Sequence, residues 1–150
     1  MRGEVTRGLL LAGHGSTRNP YARVAVCDQA ERLRARGGFG EVRIGFLKED
    51  PRLNGALEEM DCDEVQVVPM FASSGSYTEQ VIPRELRLDG PVTTRGGKTI
   101  HYRPAIGGHP GMAGVITDRA REAGADRSTG VVVLGHGTAR DANSEKNIYA

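Results

Sequence analysis

The chain predicts an α/β fold, a parallel sheet with helices on both faces. Three observations predict it. Short apolar runs alternate with stretches of helical period, the order reads βαβαβαβαβ, and glycine-rich turns follow the strands. In such sheets ligands bind beyond the carboxyl ends of the strands. Gly13-His14-Gly15, Ser73–Tyr77 and Gly107-Gly108-His109 all lie just past strand ends and are expected to meet on one rim.

The elements follow in order. Gly8–Ala12 is a continuous apolar run, as for a strand buried on both faces. From Tyr21 to Arg36, Ala22, Val26, Ala30 and Leu33 fall on one helical face, and Gly37-Gly38 stops the helix. Glu41–Leu47 alternates, with Val42, Ile44 and Phe46 on one side, which predicts a strand. Asp50-Pro51 has the form of a helix start, with Leu53, Ala56, Leu57 and Met60 as the stripe behind it. Glu64–Phe71 is a third strand, with Pro69 marking where pairing ends. Ser73–Ser76 is a polar loop, and Thr78–Leu88 a short helix that Pro83 kinks or shortens. Leu88–Lys98, rich in Gly, Pro and Thr, reads as an exposed loop before a strand over Thr99–Arg103. His109-Pro110 opens another helix with Met112, Ala113, Ile116 and Ala120 on its inner side. Thr129–Leu134 is a fifth strand.

Composition narrows the function classes. Of 150 residues 21 are glycine, about twice the usual share. With 20 Lys and Arg against 19 Asp and Glu, nothing marks a nucleic-acid or anionic-membrane partner. No apolar run approaches the ~20 residues of a membrane helix, and MRGEVTRG does not read as a secretory leader. Cys27 and Cys62 form neither a disulfide framework nor a CxxC pair, which places the chain in a reducing cytoplasm. The absence of Trp argues against a base-stacking site.

A repeat appears late. LLLAGHGSTRN (Leu9–Asn19) matches VVVLGHGTARD (Val131–Asp141) in its apolar strand, Gly-His-Gly turn, hydroxyl residue and Arg. Residues 1–126 then form one module. Residues 127–150 are the first strand and loop of a second, apparently truncated one, and an unpaired final strand makes a homodimer the expected assembly.

Chemistry centres on Gly13-His14-Gly15-Ser16-Thr17. Flanking glycines let the backbone turn sharply and bring a ligand close, and a neutral imidazole ligates a divalent metal or accepts a proton near pH 7. Its strand-end position and second copy, at His136, favour function over a rim histidine bonded to backbone. Ser73–Thr78 offers hydroxyls and N–H groups to a carboxylate or phosphate. Glu79 reads equally well as a first-turn capping acid or as a second ligand and proton acceptor. His109 reads as an N-cap, His101 as structural, and both cysteines as packing residues. Lys48 and Glu49 either line the rim or form a solvated pair.

LLLAGHGSTRNP, VVPMFASSGSYTEQVIPREL, PAIGGHPGMAGVI and VVVLGHGTARD together resemble the CbiX type of sirohydrochlorin chelatase, among the class II, ferrochelatase-like chelatases. The resemblance spans nearly the whole chain in order. It implies a flavodoxin-like fold and a lyase that inserts Co²⁺ or Fe²⁺, as substrate and with no organic cofactor, into sirohydrochlorin on the cobalamin or sirohaem route. His14 matches the family's N-terminal metal-binding histidine. Tyr77 stands where the second histidine is expected, and the acidic position after the second strand falls on Lys48 or Glu49. On this reading His14 is ligand and base, and Glu79 or Glu49 the supporting carboxylate. Tyr77 faces substrate or serves as a weak ligand, and Ser16, Thr17, Ser74, Gly75 and Ser76 bind the tetrapyrrole's carboxylates. The alternatives are a non-catalytic metal- or tetrapyrrole-binding module and, further off, phosphoryl transfer. The latter lacks its phosphate clamp, since Gly13 stands where an Arg-His-Gly turn has arginine.

Overall fold

The computed structural model describes residues 5–135 and Lys146. Among them, β1 (Arg7–Gly13), β2 (Glu41–Phe46), β3 (Glu64–Pro69), β4 (Val92–Arg95) and β5 (Lys98–Tyr102) form one sheet in the order β2-β1-β3-β5-β4. The pairs β1–β2, β1–β3 and β3–β5 are parallel, and β4 pairs antiparallel with β5. The expected α/β sheet is present, with an antiparallel edge.

Side-chain alternation along the strands splits the core in two. Leu9 and Leu11 pack with Val26, Ala30, Val42 and Phe46 beneath α1 (Val24–Arg36). Leu10, Ala12, Val65, Val67 and Ile100 face the other way, against α2 (Leu53–Glu58) and Ile82 of α3 (Ile82–Glu85). Burying each of these larger aliphatic side chains contributes roughly 1.5–3 kcal/mol, which makes central β1 the best-anchored strand.

Five local expectations are corrected. Leu88–Lys98 is not simply a loop, because Val92–Arg95 forms β4. Gly96 (φ 54°) and Gly97 (φ 79°) supply the two positive φ values that a tight hairpin turn needs. The Asp50-Pro51 helix start is displaced to α2 at Leu53, with no side-chain cap, because the Pro51 carbonyl accepts from Phe46 N–H (2.9 Å) and holds that stretch along the end of β2. The Tyr21–Arg36 helix is divided into a 3₁₀ turn over Pro20–Arg23, capped by Asn19 Oδ1 on Tyr21 N–H (3.0 Å), and α1.

The helix after Pro110, α4 (Met112–Glu122), buries none of its residues, so Met112, Ala113, Ile116 and Ala120 form no inner side. The sheet face on the α1 side offers it Gln66, Thr99 and His101, polar groups that give an apolar helix face little to bury against. The fifth strand expected over Thr129–Leu134 is absent. Asp126 Oδ1 gathers Ser128 N–H (2.8 Å), Ser128 Oγ and Thr129 Oγ1 into a turn, and β4 occupies the place beside β5. The second Gly-His-Gly, at His136, lies outside the described residues.

Candidate functional site

The strand ends meet as expected. Gly13 and His14 carbonyls accept from Leu47 N–H (3.2 Å) and Lys48 N–H (3.0 Å), which ties the loop after β1 to the loop after β2. Gly107 N–H donates to the Phe71 carbonyl (2.9 Å), tying the loop after β5 to the one after β3. The approach is so close that a Cβ on Gly107 would lie 1.9 Å from the Ala72 carbonyl oxygen. His109, in the same loop, accepts from Gly111 N–H through Nδ1 (3.0 Å), a turn-capping role.

His14 is exposed at the centre of this rim. Its Nδ1 lies 2.8 Å from the Gly15 carbonyl oxygen, which can only accept, so Nδ1 carries the hydrogen and donates it. Nε2 is left as the nitrogen with a free lone pair, the form needed by a metal ligand or a base. Tyr77 stands edge-on to the imidazole, with centroids 4.9 Å apart and planes at 82°. Phe71 contacts the imidazole at 6.4 Å and stacks with Tyr77 at 6.3 Å, 26° from parallel. His14, Tyr77 and Phe71 thus make an aromatic corner at the ends of β1 and β3.

The other expected binding residues are placed less simply. Ser16 Oγ accepts from Arg18 N–H (3.2 Å) and Asn19 N–H (3.0 Å), so it builds the loop with its lone pairs and keeps its own proton for another partner. Thr17 is exposed beside it. Gly75 N–H is taken by Thr78 Oγ1 (2.9 Å), and Thr78 Oγ1 donates to the Gly75 carbonyl (3.1 Å). That amide is therefore not available to a ligand. Ser76 is exposed, and Tyr77 opens a π-helical turn over Tyr77–Val81 that runs into α3.

Ser74, Thr78 and Glu79 line a neighbouring hollow of about 590 Å³ with Tyr102, Arg103 and Pro104. Tyr102 donates its hydroxyl to the Thr78 carbonyl (2.5 Å), and burial pushes that hydroxyl's pKa up, so it stays protonated. Exposed Glu79 belongs to this hollow, next in sequence to Thr78. Among the described residues no three His, Cys, Asp or Glu side chains converge to hold a metal ion. An imidazole with open positions suits an ion that must be released better than one that must be kept.

Glu49 sits behind the His14 loop. Its Oε1 accepts from Ser16 N–H (3.1 Å), and its Oε2 lies 3.4 Å from Arg23 Nη1. Arg23 also donates to the Asp50 carbonyl (3.1 Å), and its guanidinium lies 5.2 Å from the centre of the Phe46 ring. A hydrogen bond with Cys27, first, and the nearby Glu49 carboxylate raise the Arg23 pKa above the ordinary arginine value. Sequence reasoning missed Arg23 and Phe71. Phe71 was legible as the aromatic closing the β3 run, whereas nothing local connects Arg23 with a carboxylate in the loop after β2.

The CbiX family model matches residues 8–123. A probable sirohydrochlorin cobaltochelatase of Halobacterium salinarum is 42% identical over 165 residues, covering 95% of this chain and 56% of its own length. A sirohydrochlorin cobaltochelatase of Methanopyrus kandleri is 30% identical over 139 residues, covering 77% of this chain and 95% of its own. Among solved structures, a multi-domain Deinococcus radiodurans protein with structural similarity to chelatases superimposes with TM-score 0.77 at 37% identity, over 84% of this chain and 30% of that one. The sirohydrochlorin chelatase SirB of Bacillus subtilis, solved in complex with cobalt, gives TM-score 0.61 at 21% identity, over 78% of this chain and 50% of that one, a likeness of fold. The chain thus spans little more than half the length of its Halobacterium relative. No helix among the described residues is long and apolar enough to cross a membrane.

Proposed function

The chain belongs to the CbiX family, and from that premise we propose that it inserts a divalent metal, Co²⁺ or Fe²⁺, into a sirohydrochlorin-like tetrapyrrole. The observation that carries this reading is the His14 imidazole, exposed on the rim with Nδ1–H committed to Gly15 and Nε2 unhindered by that bond. Metal enters the macrocycle as two pyrrole protons leave, so the site must present an exchangeable ligand, accept protons and hold a flat acidic molecule. His14 Nε2 is the ligand that hands the metal on and the base that receives a proton. Glu79 is the supporting carboxylate at the edge of the adjoining hollow. Tyr77, backed by Phe71, gives the macrocycle an aromatic wall. The hydroxyls of Ser16, Thr17, Ser74 and Ser76 face its carboxylates, while Gly75 serves the turn that places them.

The substrate is acidic and the metal cationic, and both reach the site without a membrane partner or a nucleic acid in this reading. We read residues 127–150 as the opening of a second module, supported by the repeated Gly-His-Gly run, and the exposed Val131–Leu134 strip as part of a homodimer contact. With two free cysteines the protein works in a reducing cytoplasm.

The test is metal insertion followed by sirohydrochlorin absorbance, with Co²⁺, Fe²⁺ and Ni²⁺ in parallel. His14→Ala is expected to abolish it, and an unchanged rate overturns the assignment. A second reading, a module that binds metal or tetrapyrrole without turnover, is favoured by Tyr77 at the second-histidine place. Stoichiometric binding of Co²⁺ or sirohydrochlorin with no metallation separates it from a chelatase.

A further inference from the structure

Two features already described meet on one peptide unit. The Gly15 carbonyl that takes the His14 Nδ1 hydrogen and the Ser16 N–H that binds Glu49 are the two ends of the Gly15–Ser16 peptide. We propose that Glu49, anchored by Arg23, is a positioning residue that sets the tautomer and orientation of His14 through this peptide. The proposal rests on the reading of His14 as the metal-delivering residue, and it removes Glu49 from the ligand set.

The geometry supports this in three ways. First, both Glu49 oxygens face the back of the loop, one on Ser16 N–H at 3.1 Å and the other at 3.4 Å from Arg23, and the side chain is only 14% exposed. A carboxylate engaged on both oxygens is poorly placed to ligate an ion on the rim. Second, the contact is close: Gly15 has φ +70°, and a Cβ there would fall 2.8 Å from Glu49 Cγ and 2.9 Å from Oε1. The loop is pressed onto this side chain, so moving the carboxylate moves the peptide. Third, Arg23 is held independently of the loop, by the Asp50 carbonyl and the Phe46 ring, and so gives Glu49 a fixed anchor.

The physical consequence is a relay. A charged acceptor on the N–H end of a peptide polarises it and strengthens the carbonyl end as an acceptor. The Gly15 carbonyl therefore holds the Nδ1 hydrogen more firmly and keeps the lone pair on Nε2. Metal-binding histidines commonly receive this service from a carboxylate or carbonyl bonded directly to the ring, and losing it costs about 10–100-fold in metal affinity or activity. Here the carboxylate acts one peptide removed.

The experiment compares Glu49→Ala, Glu49→Gln and Arg23→Met in two readouts. One is the nitrogen NMR spectrum of the His14 ring in the metal-free protein, and the other is Co²⁺ insertion into sirohydrochlorin. Glutamine keeps an oxygen for Ser16 N–H. Glu49→Gln is therefore expected to retain the Nδ1–H tautomer and to insert metal within about threefold of the native rate. Glu49→Ala is expected to give mixed tautomers and a loss of about 10-fold or more, with Arg23→Met between the two. If Glu49→Gln is as damaging as Glu49→Ala while the His14 spectrum stays native, the carboxylate serves the metal or its protons directly and the proposal fails. A Glu49→Ala spectrum identical to native also overturns it. The ring spectrum needs no turnover, so it tests the positioning role even if His14→Ala leaves insertion intact and the reading of the site fails.

Discussion

Leu9–Ala12 and Val131–Leu134 are near copies in sequence and opposites in the structure. The first is the centre of the sheet, with Leu10 and Ala12 fully buried and a parallel partner on each side. The second pairs with nothing among the described residues, and Val132 and Leu134 are 83% and 89% exposed. An apolar, β-branched run is competent to be a strand. It becomes one only where neighbours supply hydrogen bonds and two apolar faces to bury it.

Substitutions at matched positions should separate the two copies most widely. Leu10→Ala is expected to cost about 2–5 kcal/mol, the range for emptying a packed core position. Val132→Ala, at the counterpart of Leu10 and 83% exposed, is expected to stay within about 0.5 kcal/mol. Denaturant unfolding measures both, and equal effects would mean that the second copy is packed in solution.

A smaller effect concerns the sheet's far side, where Tyr102 reaches the Thr78 carbonyl. Because burial raises the Tyr102 pKa in the folded state, the unfolded chain gives up that proton first. Full stability therefore holds below the unfolded value of about 10 and falls as pH rises above it. Tyr102→Phe should lose about 1 kcal/mol at neutral pH and show a flatter decline in thermal unfolding above pH 10.

The smallest expected effect is at α4, which shares the exposure of Val131–Leu134. Beyond its own helix backbone, Gly114 has no atom within 4 Å of where a Cβ would stand. Gly114→Ala should stabilise that helix by about 0.5–1 kcal/mol through backbone entropy. The gain would be seen as slower amide exchange confined to Met112–Glu122, with the β1 amides unchanged. Slower exchange across the sheet would show that α4 is coupled to it.

Much of this arrangement was legible residue by residue. Leu9–Ala12 and Glu64–Pro69 announce themselves because a strand buried between helices is a short, largely apolar run ended by a glycine or proline, and Glu41–Phe46 does so through the alternation of Val42, Ile44 and Phe46. The β4–β5 hairpin was equally legible in Thr-Arg-Gly-Gly-Lys-Thr, since two glycines between β-favouring residues specify a two-residue turn, but the surrounding Gly, Pro and Thr obscured it. His14 was legible from its glycines and its strand-end place. The tautomer it holds, the edge-on Tyr77 and the Arg23–Glu49 pair were not. Arg23 and Glu49 lie 26 positions apart on separate elements, and no periodicity links them.

The sequence by itself determined the types of β1, α1, β2, α2 and β3, the helices on both sheet faces and the rim where strand-end loops gather, because hydrophobic period and turn chemistry act over a few residues. Tertiary structure decided which of two matching runs became a strand, that α4 buries none of its residues, and what each side chain around His14 does. Those outcomes turn on which groups become neighbours after folding, when burial, hydrogen-bond partners and excluded volume come from distant parts of the chain.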